Sequence, residues 1–185
     1  MKNLSDYIVV FEDVITHALC DAVLAEYKDC DDWINAVVRN DENLNARNCQ
    51  TIGMSFSSVI EKNQETRKKL DSYLYVSASN VIKQYNKQFT HCDIEQDSGY
   101  DLLKYEVGGF YITHTDSFKE RPRAVSCSFI LNDDYEGGEF AFFDRELVYN
   151  LKKGSCIMFP SNFMYPHEIM PVTSGTRYSI VTWFI

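Results

Sequence analysis

Residues 101–131 read DLLKYEVGGFYITHTDSFKERPRAVSCSFIL. Three short segments rich in Tyr, Phe, Val, Ile and Thr stand here, at 101–106, 110–115 and 124–131, parted by Gly108-Gly109 and by a charged loop from Ser117 to Arg123. Aromatic and β-branched side chains suit a pleated, half-buried surface and glycine pairs interrupt it, so the spacing predicts strands joined by turns. The texture runs on to residue 184, with further strands expected at 139–142, 147–151, 155–159, 167–172 and 177–184. Asn132-Asp133-Asp134, Gly137-Gly138, Gly154 and Thr173-Ser174-Gly175 supply the breaks.

Upstream of residue 99 the period changes. Phe11, Val14, Ile15, Ala18, Leu19, Ala22, Val23 and Tyr27 recur at three and four residues, as do Leu70, Leu74, Val81, Ile82, Tyr85 and Phe89. Such stripes mark amphipathic helices, the second expected over about 64–89. Two helices followed by eight short strands predict a mainly β fold with N-terminal helices, a jelly roll in which the helices buttress one sheet. With 185 residues and nearly half of them apolar, one domain is expected. Residues 1–98 would supply mainly helical support and a lid, and 99–185 the β core.

The formal charge of -9 opposes a phosphate backbone, so no nucleic-acid partner is expected. Lys119, Arg121 and Arg123 form the only basic cluster, either an ordinary exposed loop or a feature that attracts an acidic substrate or partner. No apolar run is long enough to span a membrane and the N-terminal residues carry no secretory pattern, so a cytoplasmic protein is expected. The six cysteines form no C-x-x-C pair and read as reduced core residues. A microbial or viral origin is expected from the brevity of the chain.

Of the four histidines, His17 falls in the first helical stripe and His91 follows the second, where structural roles suffice. His114 and Asp116 differ. They stand two apart on an expected strand and so share a face. With the distant His167 they would make a two-histidine, one-carboxylate set that leaves positions of an octahedral metal free for a 2-oxo acid and O2. H-x-D alone is weak, since the pair can simply be hydrogen-bonded neighbours. The ending sharpens it: 167–172, the loop Thr173-Ser174-Gly175 and 177–184 read as a hairpin. Pairing Val172 with Thr176 would place Arg177 on the face of His167, about 13 Å along the sheet, where its guanidinium could grip a carboxylate.

The order Tyr105, Gly109, Tyr111, His114-x-Asp116, Leu131-Asn132, Gly137-Gly138-Glu139, Gly154, Phe159-Pro160, His167, Val172, Gly175, Arg177-Tyr178 and Trp183 resembles the prolyl 4-hydroxylase-like 2-oxoglutarate/Fe(II) dioxygenases over roughly residues 100–185. The resemblance implies a double-stranded β-helix, Fe(II) held by His114, Asp116 and His167, and 2-oxoglutarate held by Arg177 and by Tyr105 as a hydrogen-bond donor. O2 would be the second co-substrate and ascorbate a reductant. Read without the resemblance, Tyr105 is equally a core tyrosine, and for Trp183 core packing is the simpler reading. Tyr111, Trp183 and Arg47 are pocket or substrate-facing candidates, and no side chain is required as a catalytic acid or base. Ile130 stands where some relatives carry a tyrosine, and Arg177 where others carry lysine. The carboxylate of Asp116 favours hydroxylation over halogenation.

The reaction so implied hydroxylates an unactivated C–H bond, with release of succinate and CO2. A prolyl residue of a peptide or protein is the first expectation for substrate, a free amino acid or other small molecule the second. A non-catalytic, metal-binding β-sandwich is the reading from another class. Segments 40–58 and 117–123 are lid candidates over the mouth, and each reads equally as a plain connector.

Overall fold

The computed structural model of the chain describes residues 2–37, 46–55 and 63–185. Its N-terminal part holds a 3-10 turn Leu4–Tyr7, β1 Val9–Phe11, α1 His17–Tyr27, β2 Ile34–Asn35, β3 Arg47–Asn48, β4 Gln50–Gly53 and α2 Gln64–Gln88. Next come β5 Asp101–Tyr105, β6 Phe110–His114, β7 Val125–Ile130, β8 Glu136–Gly137 and β9 Phe140–Phe142. The chain ends with β10 Leu147–Tyr149, β11 Cys156–Pro160, β12 His167–Ile169, β13 Val172–Ser174 and β14 Arg177–Phe184.

The strands form a seven-stranded sheet in the order β1-β11-β7-β14-β5-β4-β2, a five-stranded sheet β10-β9-β12-β6-β3 and the small pair β13-β8. Every pairing among them is antiparallel. The fold is therefore a double-sheet jelly roll with two supporting helices, open at its edges rather than closed into a barrel.

Strand alternation explains the layering. On β14, Tyr178, Ile180 and Phe184 join Leu102, Cys127, Phe129, Cys156 and Met158 in a core shared with Val23 and Tyr27 of α1 and Leu74, Val81 and Tyr85 of α2. The opposite faces of the same strands send Leu103, Tyr105, Ile157 and Phe159 into a second core with Phe140, Phe142 and Ile169 of the smaller sheet. A sheet covered on both faces needs apolar residues at nearly every position, which is why β7 is buried along its whole length. The two helices are tied by Arg67, almost fully buried, which reaches Glu26 at 2.7 Å and Asp32 at 2.9 Å.

Several expectations change. The first helix begins at His17, because Thr16 caps it by accepting the Leu19 amide at 3.1 Å; Phe11 belongs instead to β1, an edge strand on β11. The N-terminal half thus adds strands to both sheets rather than helices alone. Residues 46–55 of the lid candidate 40–58 form β3 and β4, whereas its residues 40–45 and 56–58 lie outside the described residues.

The expected terminal hairpin does not form. The backbone around Pro171 and Val172 is taken by other partners: Val172 exchanges hydrogen bonds with Gly108 and Gly109, and Gly138 donates to the Pro171 carbonyl. The chain leaves the smaller sheet after Ile169 and enters the larger one at Arg177, which pairs with Tyr105. No helix among the described residues is long and apolar enough to cross a membrane, and all six cysteines are free thiols.

Candidate active site

β6 and β12 are neighbours, and their register sets His114 directly opposite His167. Asp116 lies in the bend just beyond β6, turned so that Oδ1 is 3.5 Å from His114 Nε2 and Oδ2 is 3.7 Å from His167 Nε2. One donor atom from each of the three falls within 4.8 Å of the others. Two imidazoles and a carboxylate converging from one side are a facial donor set with the far side free, suited to Fe(II).

Each ligand is fixed from behind. His114 Nδ1 donates to the Ile112 carbonyl at 2.8 Å and His167 Nδ1 to the Tyr165 carbonyl at 3.2 Å, which leaves the Nε2 lone pairs for a metal. Asp116 Oδ2 accepts from Ser126 Oγ at 2.6 Å, and Ser126 in turn pairs with Ser161 at 2.8 Å. Burial alone would raise the Asp116 pKa, but His167, His114 and the Ser126 hydrogen bond hold it well below the ordinary carboxylate range. Burial, reinforced by His114, pushes the His167 pKa down to about 4. Asp116 and His167 are thus in their metal-binding protonation states at neutral pH.

Arg177 reaches the same cleft from the opposite sheet. It is 1% exposed; Nη1 donates to Ser179 at 2.8 Å, while Nε is buried with no hydrogen-bond partner. The side chain runs past Gly138, where a Cβ would stand 2.9 Å from Arg177 Cδ and 3.1 Å from Val172. An unpartnered donor on a buried cation is costly unless a ligand satisfies it, and a carboxylate matches its fork. Tyr105, cross-strand from Arg177, is buried with Cys49 as its hydrogen-bonding neighbour, and burial raises its pKa so that the phenol keeps its proton. Arg177, Tyr105 and the His–Asp–His set all line one cleft of about 1420 Å3.

The remaining candidates form its walls. Tyr111 stacks on His114 with ring centroids 3.5 Å apart, and Arg47 lies over Tyr111 at 4.6 Å while donating to Cys49 Sγ. Trp183 is at the mouth under Arg123, whose guanidinium is 3.3 Å from the ring centroid. The loop 117–123, bridged between Phe118 and Arg121, forms part of the rim. His17 and His91 lie elsewhere, both exposed.

Sequence reasoning missed Ser126 and Ser179, and read Arg123 only as part of the basic loop and Asn132 only as part of the Leu131-Asn132 turn. Arg123 Nη1 donates to the Asp116 carbonyl at 3.1 Å, and Asn132 accepts from the Tyr178 amide and donates to the Thr176 carbonyl, fixing the entry to β14. Ser126 had a signal, since a hydroxyl on a buried strand calls for a polar partner, although Ser128 two residues on is buried without one.

Comparison with known proteins agrees with this geometry. Residues 100–185 match the family model of the 2OG-Fe(II) oxygenase superfamily. A PKHD-type hydroxylase of Idiomarina loihiensis is 33% identical over 88 residues, 44% of this chain and 39% of that protein. A PKHD-type hydroxylase of Thermosynechococcus vestitus is 29% identical over 140 residues, 69% of this chain and 62% of that protein. The matched region thus spans 39% and 62% of the length of these two curated relatives, less than two thirds of either.

Among solved structures, a prolyl hydroxylase of Trichoplax adhaerens, in complex with a hypoxia inducible factor oxygen degradation domain peptide fragment, superposes with a TM-score of 0.77 at 18% identity. That superposition covers 98% of this chain and 84% of that one. A Pseudomonas putida prolyl-4-hydroxylase gives 0.71 at 20% identity, over 96% and 91%. Residues 100–185, which carry the converging histidines and carboxylate and the buried arginine, are thus similar to the 2OG-Fe(II) oxygenase superfamily.

Proposed function

We propose that this chain is a 2-oxoglutarate- and O2-dependent Fe(II) hydroxylase that oxidises a C–H bond of a prolyl residue in a peptide or protein, releasing succinate and CO2. The observation that carries the reading is the buried Arg177 with an unpartnered Nε in the same cleft as a facial His114–Asp116–His167 set. That combination suits a diacid that chelates a metal at one end and meets a guanidinium at the other.

In this mechanism His114 Nε2, Asp116 and His167 Nε2 hold Fe(II). Arg177 and the Tyr105 hydroxyl donate to the far carboxylate of 2-oxoglutarate. The iron, when bound, supplies the O2 activation that no side chain here can perform. Ser126 keeps one Asp116 oxygen oriented, and the apolar Phe140, Phe159 and Ile169 around the diacid exclude water. No side chain has to transfer a proton. Helices and β core act together as one catalytic unit, since α1 and α2 cover the sheet that carries Arg177.

A peptide substrate is supported by the size of the cleft, which exceeds the roughly 300–1,000 Å3 of ordinary small-molecule sites, and by the prolyl hydroxylases that share the fold. The test is succinate release from 2-oxoglutarate by purified protein with Fe(II) and ascorbate in air. Stimulation by proline-containing peptides, with a mass gain of one oxygen on the peptide, is the expected result. Stimulation by free amino acids alone would replace the peptide with a small substrate. Failure to bind both Fe(II) and 2-oxoglutarate would overturn the proposal.

A further inference from the structure

The cleft has a second charged region that the metal and the diacid do not use. On the larger sheet, Arg177 and Tyr105 stand in one row, while Val181 pairs with Asp101 four residues further along β5, about 13 Å away at the ordinary strand rise. Around that far end the lining residues are Asp101, Trp183, Arg123, Arg121, Glu120, Lys119 and, from the smaller sheet, Arg47. Four cations therefore face two carboxylates at the mouth.

This is the reverse of the whole chain, in which 27 acidic residues outnumber 18 basic ones. Among the described residues, Arg47, Lys119, Arg121 and Arg123 form no ion pair with any carboxylate. Arg47 instead lies on Tyr111, and Arg123 lies on Trp183 and donates to a backbone carbonyl. Asp101 interacts with three of them, and burial pushes its pKa upward despite Arg47, Arg123 and Arg121, while Asp116 also acts on Arg123. A cleft with low-dielectric walls concentrates the field of such cations.

Building on the hydroxylase reading above, we propose that the rim formed by Arg47, Lys119, Arg121 and Arg123 is a carboxylate-recognition subsite, and that the preferred substrate carries acidic groups beside the residue that is oxidised. Arg123 and Arg47 lie over aromatic rings, at 3.3 Å from the Trp183 centroid and 4.6 Å from the Tyr111 centroid, and this packing restrains guanidinium groups that can meet a planar acceptor. Lys119 and Arg121 are exposed on the loop and attract the substrate at longer range. Aspartate or glutamate side chains of a peptide, or the carboxylate of a small substrate, would present the same chemistry.

The experiment compares succinate release with three prolyl peptides that differ only in having Glu, Gln or Lys around the proline, alongside free acidic and basic amino acids, at low and high salt. A KM about tenfold lower for the Glu peptide than for the Lys peptide is expected in low salt, narrowing to about twofold near 0.5 M. The doubly reversed variant Lys119→Glu/Arg121→Glu should lose or invert this preference. Its absorbance change on binding 2-oxoglutarate with Fe(II) without air should persist, which shows that it is folded. Arg123 is left intact because it touches the Asp116 backbone.

Equal KM values for Glu and Lys peptides, or a preference that survives the charge reversal, would overturn the subsite. If no peptide is turned over, the hydroxylation of a peptide fails by itself. The same comparison is then read from the amino acids: acidic ones preferred over basic ones supports the subsite, and no preference or no response overturns it.

Discussion

His114 and His167 face each other across the β6–β12 ladder with ring centroids 4.2 Å apart, and Asp116 closes the triangle from the bend beyond β6. Two antiparallel strands thus fix two of the donors and the bend fixes the third. Replacing Asp116 by Ala removes the only anionic donor and should abolish 2-oxoglutarate turnover while leaving the far-ultraviolet circular dichroism unchanged. Turnover at the wild-type rate would remove Asp116 from the set.

Ser126 tests the support behind that carboxylate. Its hydroxyl donates to Asp116 Oδ2 at 2.6 Å, and removing partners of metal ligands ordinarily costs about 10–100-fold in metal affinity or activity. Ser126→Ala should therefore weaken binding of Fe(II), or of Co(II) followed in the visible spectrum, by about tenfold. An unchanged dissociation constant would mean that the metal alone orients Asp116.

Arg177 can be tested through the co-substrate. Its replacement by Met removes up to two charge-assisted hydrogen bonds, each worth roughly 1.5–3 kcal/mol, so the KM for 2-oxoglutarate should rise about 100-fold. Lys keeps the charge but loses the fork, and Arg177→Lys should fall between the two. Equal KM values in wild type and the Met variant would show that the diacid lies elsewhere.

The route by which Arg177 enters the cleft shows what sequence can and cannot reveal. The strand-rich texture, the long helix and the residues His114, Asp116 and His167 were readable from local pattern and residue chemistry, although Asp116 stands in the bend beyond β6 and not on the strand expected to carry it. The hairpin expected between 167–172 and 177–184 was not there: Pro171 and Val172 bond to Gly138, Gly108 and Gly109. Those partners lie more than thirty residues away, and no local period encodes them. Arg177 lines the cleft from the larger sheet, beside Tyr105, and not from the strand next to His167 that the expected hairpin would have given it. Arg47 was expected only as a pocket or substrate-facing residue; the pairing of β3 with β6 is what lays it on Tyr111.

The buried state of His167 makes the metal-free protein sensitive to acid. The unfolded imidazole has a pKa of about 6.5, whereas in the fold burial and His114 lower it to about 4. Between these values the unfolded chain binds more protons than the native one, so stability falls as pH falls through this window. Asp116 has a lowered pKa too, and its contribution is lost only below the ordinary carboxylate range, at more acid pH. Denaturant unfolding of the metal-free protein should thus show a loss of about 2 kcal/mol between pH 7 and about pH 5. In His167→Gln the part of the slope due to this imidazole should vanish. Identical slopes in both proteins would show that His167 is not the titrating group.

Gly138 links the backbone to co-substrate affinity without touching the metal. Its φ of +68° is one that L side chains rarely adopt, and an added Cβ would lie 2.9 Å from Arg177 Cδ. Gly138→Ala therefore carries two costs, backbone strain of order 1 kcal/mol and a push on the guanidinium stem. The stem is flexible and can yield, but any shift moves the unpartnered Nε away from the position set by Ser179. The expected outcome is a several-fold rise in the KM for 2-oxoglutarate together with a modest fall in melting temperature, while Co(II) binding to the His114–Asp116–His167 set stays at the wild-type value. Loss of Co(II) affinity in step with 2-oxoglutarate affinity would mean that the substitution disturbs the whole sandwich. In that case Gly138 would serve the fold rather than clear space for Arg177.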